Sequence, residues 1–285
     1  METILVTGSN GQLGNEMRQI SKSYSQFNYI YTDIEELDIC NKTNLDDFVK
    51  LNKVDFIVNC AAYTAVDKAE NDTELCYKIN FEAVKNIAEI ASKHQIKVVH
   101  ISTDYVFDGT NYIPYTEKEQ VCPYTVYGKS KLAGEQTLSE NCKDAIIIRT
   151  SWLYSSFGNN FVKTMIKLGK ERDSLNVIFD QIGTPTYAAD LADTIMKIII
   201  HENFTTGIYH FSNEGVCSWY DFTKSIHRIS GINCNVKPIE SKEYPTPTPR
   251  PHFSVLNKAK IKSTYGLNIP HWEESLEKCL KLLND

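Results

Sequence analysis

An apolar run, Ile4-Leu5-Val6, breaks directly into Gly8-Ser9-Asn10-Gly11-Gln12-Leu13-Gly14, after which residues 12–23 carry helical spacing. Strand, tight glycine turn and helix in that order constrain the fold strongly, because such a turn opens a βαβ unit. Gly8, Gly11 and Gly14 form GxxGxxG, a variant of the dinucleotide fingerprint. Its glycines permit the turn, the approach of backbone to a pyrophosphate and close packing of helix on strand. The helix start at Gln12 and Leu13 offers amide donors and a favourable dipole to the phosphates.

The rest of the first half repeats that rhythm. Residues 4–7, 29–32, 56–59, 98–102 and 145–149 read as strands, with helical spacing over 12–23, 43–51, 74–94 and 127–139. Alternation of this kind predicts an α/β fold, a Rossmann-type doubly wound parallel sheet with helices on both faces. Residues 1–150 are expected to form a dinucleotide-binding domain. Residues 151–285 are expected to form mainly a smaller, interleaved substrate-binding α/β domain, with segments near 185–213 returning to the first. In this half 161–170, 188–200, 219–229 and 272–283 read as helices, and 176–179 and 207–211 as strands. The proline-rich stretch 244–251 reads as an extended loop that positions Arg250.

Composition excludes several classes. With 42% hydrophobic and 23% charged residues the chain is an ordinary globular one, and a net charge of -6 with dispersed basic residues argues against nucleic acid or an anionic membrane as a partner. Met1 leads within three residues into a strand, without the charged and apolar regions of a signal peptide, and no apolar stretch is long enough to span a bilayer. A cytoplasmic location is the expectation. Eight scattered cysteines without a CxxC pair suit neither a zinc site nor a disulfide framework, and read as reduced.

Asp33 ends the second strand 19 residues past Gly14, close to the spacing of a carboxylate that accepts from the adenosine ribose hydroxyls. It repels a 2′-phosphate, and no Arg or Lys follows until Lys42, so the pattern admits NADPH or NADH and leans to NADH. Asp38 and Ile39 fall where the adenine would lie, although Asp38 equally suits a helix cap. Ala61, Ala62 and Tyr63 follow the third strand where the cofactor passes the sheet edge; small residues there also suit packing.

Tyr127 and Lys131 lie four apart and so share a helix face. The Lys131 ammonium is expected to favour the ionised phenol and lower the Tyr127 pKa towards neutrality, where it serves as general acid or base. Thr103 ends a buried strand, where doubly wound sheets bind ligands, and its hydroxyl suits the reacting carbonyl. Singly, these residues are a packed aromatic, a surface charge and a strand former. Together, downstream of the glycine turn, they read as a catalytic set, with Tyr127 and Lys131 also touching the nicotinamide ribose.

Beyond these motifs the chain resembles the extended short-chain dehydrogenase/reductases, and more narrowly the dTDP-4-dehydrorhamnose reductases, over nearly its whole length. The resemblance is carried by the segments 59–70, 102–109, 149–154, 179–186 and 250–256. It implies reduction of the C4 ketone of a dTDP-sugar, with Tyr127 as proton donor. Asp104, Tyr105 and Trp152 would touch the sugar, and Arg250 would meet the diphosphate; Trp152 equally suits a domain-interface anchor. Some members resemble metal-linked dimers. Glu16, Asp190 and Asp193 are acidic in fitting places for Mg2+ but also suit helix starts, so no metal is expected, and a homodimer is left open. Sister nucleotide-sugar reductases and epimerases share Tyr127 and Lys131, whereas Tyr105 after Asp104 argues against a dehydratase. The fold also resembles the non-catalytic regulatory subunit of methionine adenosyltransferase, against which the intact Thr103, Tyr127 and Lys131 speak.

Overall fold

The computed structural model describes residues 1–284. Its strands are β1 (Thr3–Thr7), β2 (Asn28–Thr32), β3 (Phe56–Asn59), β4 (Lys97–Thr103), β5 (Ala145–Thr150), β6 (Leu153–Tyr154), β7 (Ser174–Ile178), β8 (Ile182–Gly183), β9 (Thr186–Tyr187), β10 (Gly207–His210), β11 (Cys217–Ser218) and β12 (Asn235–Ile239). The helices are α1 (Gln12–Ile20), α2 (Lys42–Leu51), α3 (Val66–Ala69), α4 (Thr73–Tyr77), α5 (Ala83–His94), α6 (Val126–Asn141), α7 (Phe161–Glu171), α8 (Ala188–Ile200), α9 (Trp219–Ile229), α10 (Ala259–Tyr265) and α11 (Trp272–Asn284).

Six strands form one parallel sheet in the order β10-β5-β4-β3-β1-β2. The apolar runs of its central strands reflect burial on both faces. Val6, Val58, Val99 and Ile148 pack against Leu13 and Met17 of α1 and Leu191 and Ile195 of α8. Alternate residues Leu5, Ile57, Val98 and Ile147 pack against Leu45 of α2, Ile87 of α5 and Leu138 of α6. The chain reverses its direction of strand addition between β1 and β3, which places a crevice beyond their carboxyl ends. A smaller core lies beside it, where the parallel pair β7 and β12 packs with α7, α9 and α11 through Leu175, Val236, Val162, Phe222 and Leu276.

Several elements depart from the sequence reading. The helix expected over 74–94 is α4 and α5 joined by a π-helical turn, Lys78–Glu82. Asn80 on that turn donates to Tyr63 O and Ser130 Oγ and accepts from Tyr63 N–H, contacts that a wide turn satisfies. Strand β12 was not expected; it contains Pro238, which donates no backbone hydrogen bond and is tolerated because β12 pairs with β7 on one side only. The short α10 carries no long apolar period and was not expected. Among the described residues no helix is long and apolar enough to cross a membrane, and the eight cysteines are free thiols.

Candidate active site

A cleft of about 1180 Å³ opens at the carboxyl ends of β1, β3, β4 and β5 and runs from the glycine loop to the β7–β12 core. Gly8, Gly11, Gln12, Leu13 and Gly14 line one end. Gly8 has φ +62°, and a Cβ there would lie 2.6 Å from the Ala61 backbone; one on Gly14 would lie 2.4 Å from Ser9 Cα. Only glycine fits either place. Gly11 caps α1 without a side-chain bond, so the first amides of the helix face the cleft. A backbone cradle of this form fits a dinucleotide pyrophosphate.

Asp33 stands beside this loop, with Oδ2 accepting from Asn10 N–H (3.0 Å) and Oδ1 from Ile34 N–H (2.9 Å). A basic residue that local spacing did not reveal reaches the same loop. Arg18 of α1 lies over the Tyr31 ring, 4.3 Å from its centroid, with Nη2 3.4 Å from Ser9 Oγ. Ala62 lines the cleft, while Ala61 lies against Gly8. Tyr63 is turned aside, its hydroxyl donating to Asp72 (2.9 Å). Asp38 and Ile39 are not brought to the cleft. Asp38 accepts from Cys40 N–H in the turn before the Asn41 cap of α2, and Ile39 is buried beneath α2 and α5.

Thr103, Tyr127 and Lys131 meet at the centre of the cleft. Thr103 accepts from Tyr105 N–H (3.2 Å) and donates to Asp104 Oδ1 (3.0 Å), which holds its hydroxyl at the strand end. Thr125 caps α6, accepting from Gly128 N–H, so Tyr127 sits in the first turn, its ring edge-on to Tyr105 at 5.5 Å. The expectation of an acidified phenol is corrected. Burial pushes the Tyr127 pKa well above its ordinary value, and the Thr103 hydroxyl offsets this only in part. The reason is geometric: the Lys131 head is drawn under the sheet edge, donating to Ile101 O (2.7 Å), with His100 Nε2 at 3.5 Å. Lys131 is itself buried, and desolvation lowers its pKa to about 8 against the opposing pull of Glu135 and Cys76.

Asp104 is fully buried, and burial raises its carboxyl to about 6. Its Oδ2 has no hydrogen-bond partner among the described residues. Trp152 lies further along, in a left-handed backbone conformation (φ 49°) that bulky side chains rarely adopt. Its ring stacks on Trp219 at 3.5 Å and 10°, and Trp219 packs in turn on Phe161. Trp152 thus both lines the cleft and joins the β7–β12 core. Trp219, whose partner lies far away in sequence, was not anticipated. Arg250 reaches over the far side, paired with Asp67 of α3 at 2.8 Å.

The acidic residues considered for a metal take part in hydrogen bonds and an ion pair. Glu16 accepts from Ser155 (2.6 Å), Asp190 from Asn213 and Ser275, and Asp193 pairs with Lys197 (2.7 Å).

A glycine cradle at the switch point of a parallel sheet, with Thr103, Tyr127 and Lys131 gathered beside it, defines a short-chain dehydrogenase/reductase using a nicotinamide dinucleotide. Within that class, residues 1–284 match the family described as RmlD substrate binding domain, and the chain belongs to it. It is similar to dTDP-4-dehydrorhamnose reductase of Aggregatibacter actinomycetemcomitans, with 39% identity covering 97% of this chain and 98% of the relative. Among solved structures, a dTDP-4-dehydrorhamnose reductase of Clostridium acetobutylicum superposes with TM-score 0.96 at 44% identity, covering 99% of this chain and 100% of the other. The enzyme of that name from Bacillus anthracis, in complex with NADP, superposes with TM-score 0.95 at 40% identity, with 99% of each chain covered.

Proposed function

We propose that this chain reduces the C4 ketone of dTDP-4-dehydro-β-L-rhamnose to the alcohol of dTDP-β-L-rhamnose. One observation carries the chemistry: a buried phenol, Tyr127, faces the cleft beside Thr103 and above Lys131. A phenol is protonated at neutral pH, so Tyr127 presents an O–H that can donate to a developing alkoxide in the cleft.

A nicotinamide dinucleotide would supply the hydride when bound; Gly8, Gly11 and Gly14 would hold its pyrophosphate against the amides of α1, and Lys131 and Tyr127 would meet its ribose. Tyr127 gives its proton to the oxygen at C4 as negative charge develops there, and Thr103 stabilises the same oxygen. Thr103 has one hydrogen, now directed to Asp104; substrate must take over that bond or be received by Thr103 once Asp104 is protonated. Asp104, Tyr105 and Trp152 orient the sugar, and Arg250 binds the diphosphate by charge-assisted bonds.

Asp33 suits the free 2′-hydroxyl of NADH, whereas Arg18 supplies charge for a 2′-phosphate. The two oppose each other, so the lean to NADH is small. The deciding experiment measures NADH and NADPH consumption with enzymatically generated dTDP-4-dehydro-β-L-rhamnose, comparing wild type and Tyr127→Phe. Turnover that falls by about 10²–10⁴ in the mutant, with dinucleotide binding intact, supports the assignment. A wild type that binds dinucleotide yet does not turn over this sugar refutes it.

A further inference from the structure

Beneath the catalytic groups a row of buried polar side chains crosses the sheet. Thr7, Asn59 and His100 occupy matching positions on β1, β3 and β4 and are almost fully enclosed. Thr7 Oγ1 donates to Asn59 Oδ1 (2.7 Å), and so does Ala61 N–H (3.2 Å). Asn59 Nδ2 lies 2.9 Å from His100 Nδ1, and His100 Nε2 lies 3.5 Å from Lys131 Nζ.

The chemistry of the row is determined by counting hydrogens. Two donors converge on Asn59 Oδ1, so its NH2 must face His100, and His100 Nδ1 must accept. A neutral imidazole carries one hydrogen, which therefore sits on Nε2 and points at Lys131. Burial keeps the ring neutral, holding the His100 pKa well below its ordinary value. The positive end of an N–H dipole then faces the lysine head. That arrangement opposes an ammonium and suits the lone pair of a free amine.

We propose that His100, oriented by Asn59 and Thr7, is a positioning residue that weakens the hold of Lys131 on its proton during turnover. This rests on the catalytic reading of Tyr127 and Lys131. One N–H bond of the Lys131 ammonium breaks as its proton passes to solvent in the cleft, and the resulting amine accepts from His100 Nε2–H. The other titratable groups around Lys131 are Cys76 from α4, and Tyr127 and Glu135 from its own helix. Glu135 favours the ammonium, but its charge is matched by Arg149 at 2.6 Å.

The test begins with ¹⁵N-histidine NMR on the whole chain, His100 being assigned among the seven histidines by its loss in His100→Gln. A ring hydrogen on Nε2 and no protonation between about pH 5 and 8 is expected; a hydrogen on Nδ1, or a titrating ring, overturns the proposal whatever the reaction. In Asn59→Asp the carboxylate captures an Nδ1–H, the tautomer inverts and Nε2 accepts from the ammonium. The basic limb of the kcat profile then moves up by about one pH unit with KM little changed. His100→Gln, whose amide oxygen also accepts from the ammonium, is expected to move it the same way. Structural damage alone would lower kcat without moving the limb. An unmoved limb in both folded variants overturns the link to Lys131. Undiminished turnover in Tyr127→Phe would instead remove the catalytic reading while leaving the tautomer result in place.

Discussion

Burial decides the chemistry of the individual side chains in the cleft. It tightens the protons of Tyr127 and Asp104 and loosens that of Lys131. Asp104 gives a measurable consequence in stability. Unfolded, its carboxyl ionises near the ordinary 3.8; folded, it holds its proton to about 6. Between those values the folded state binds more protons, so stability present at low pH is lost as pH rises through that window, by about 2–3 kcal/mol. Denaturant unfolding at pH 4 and pH 7 is therefore expected to show a larger fall for wild type than for Asp104→Asn, by about that amount. Equal falls in the two proteins would show that the carboxyl is not protonated in the fold.

Where strand meets helix, tolerance is set by backbone contact. The first turn of α1 is pressed onto the glycine loop so closely that Gly14→Ala puts a methyl against Ser9 Cα, whereas at Gly11 the nearest atom to a new Cβ is Gly8 O at 3.3 Å. Gly14→Ala is expected to cost about 1–3 kcal/mol of stability and to abolish dinucleotide binding, with Gly11→Ala much milder in both. Thermal melts and quenching of protein fluorescence by NADPH give the comparison; similar losses at the two positions would contradict the packing account. The π turn between α4 and α5 follows the same logic, since it sets Asn80 between Tyr63 and Ser130.

Across the protein as a whole, the cleft runs from the glycine loop to the β7–β12 core, and Arg250 on its wall pairs with Asp67 of α3. If Arg250 meets the substrate diphosphate, Arg250→Ala forfeits a charge-assisted bond of about 1.5–3 kcal/mol. The expected outcome is a KM for the sugar nucleotide raised by about 10–100-fold, with kcat nearly unchanged and the dinucleotide KM unaffected. A loss confined to kcat would place Arg250 in the chemistry instead. The stack of Trp152 on Trp219 joins the cleft wall to the β7–β12 core.

The strands and the glycine turn were legible along the chain because they rest on local rules: apolar runs for strands buried on both faces, and glycine where a backbone crosses at 2.6 Å. Tyr127 and Lys131 were legible for a similar reason, since four residues on a helix make neighbours. Local rules failed where a partner arrives from elsewhere. Arg18 reaches Ser9 only because α1 lies on the sheet edge, and Trp219 meets Trp152 only when segments far apart in the chain pack together. The direction of the Lys131 head was likewise invisible, for it depends on His100 from β4 standing in register with Asn59 of β3. The order of residues thus specified which elements form and which reactive groups the chain carries. Their protonation and aim were decided by tertiary packing, because desolvation and hydrogen-bond partners are supplied by neighbours distant along the chain.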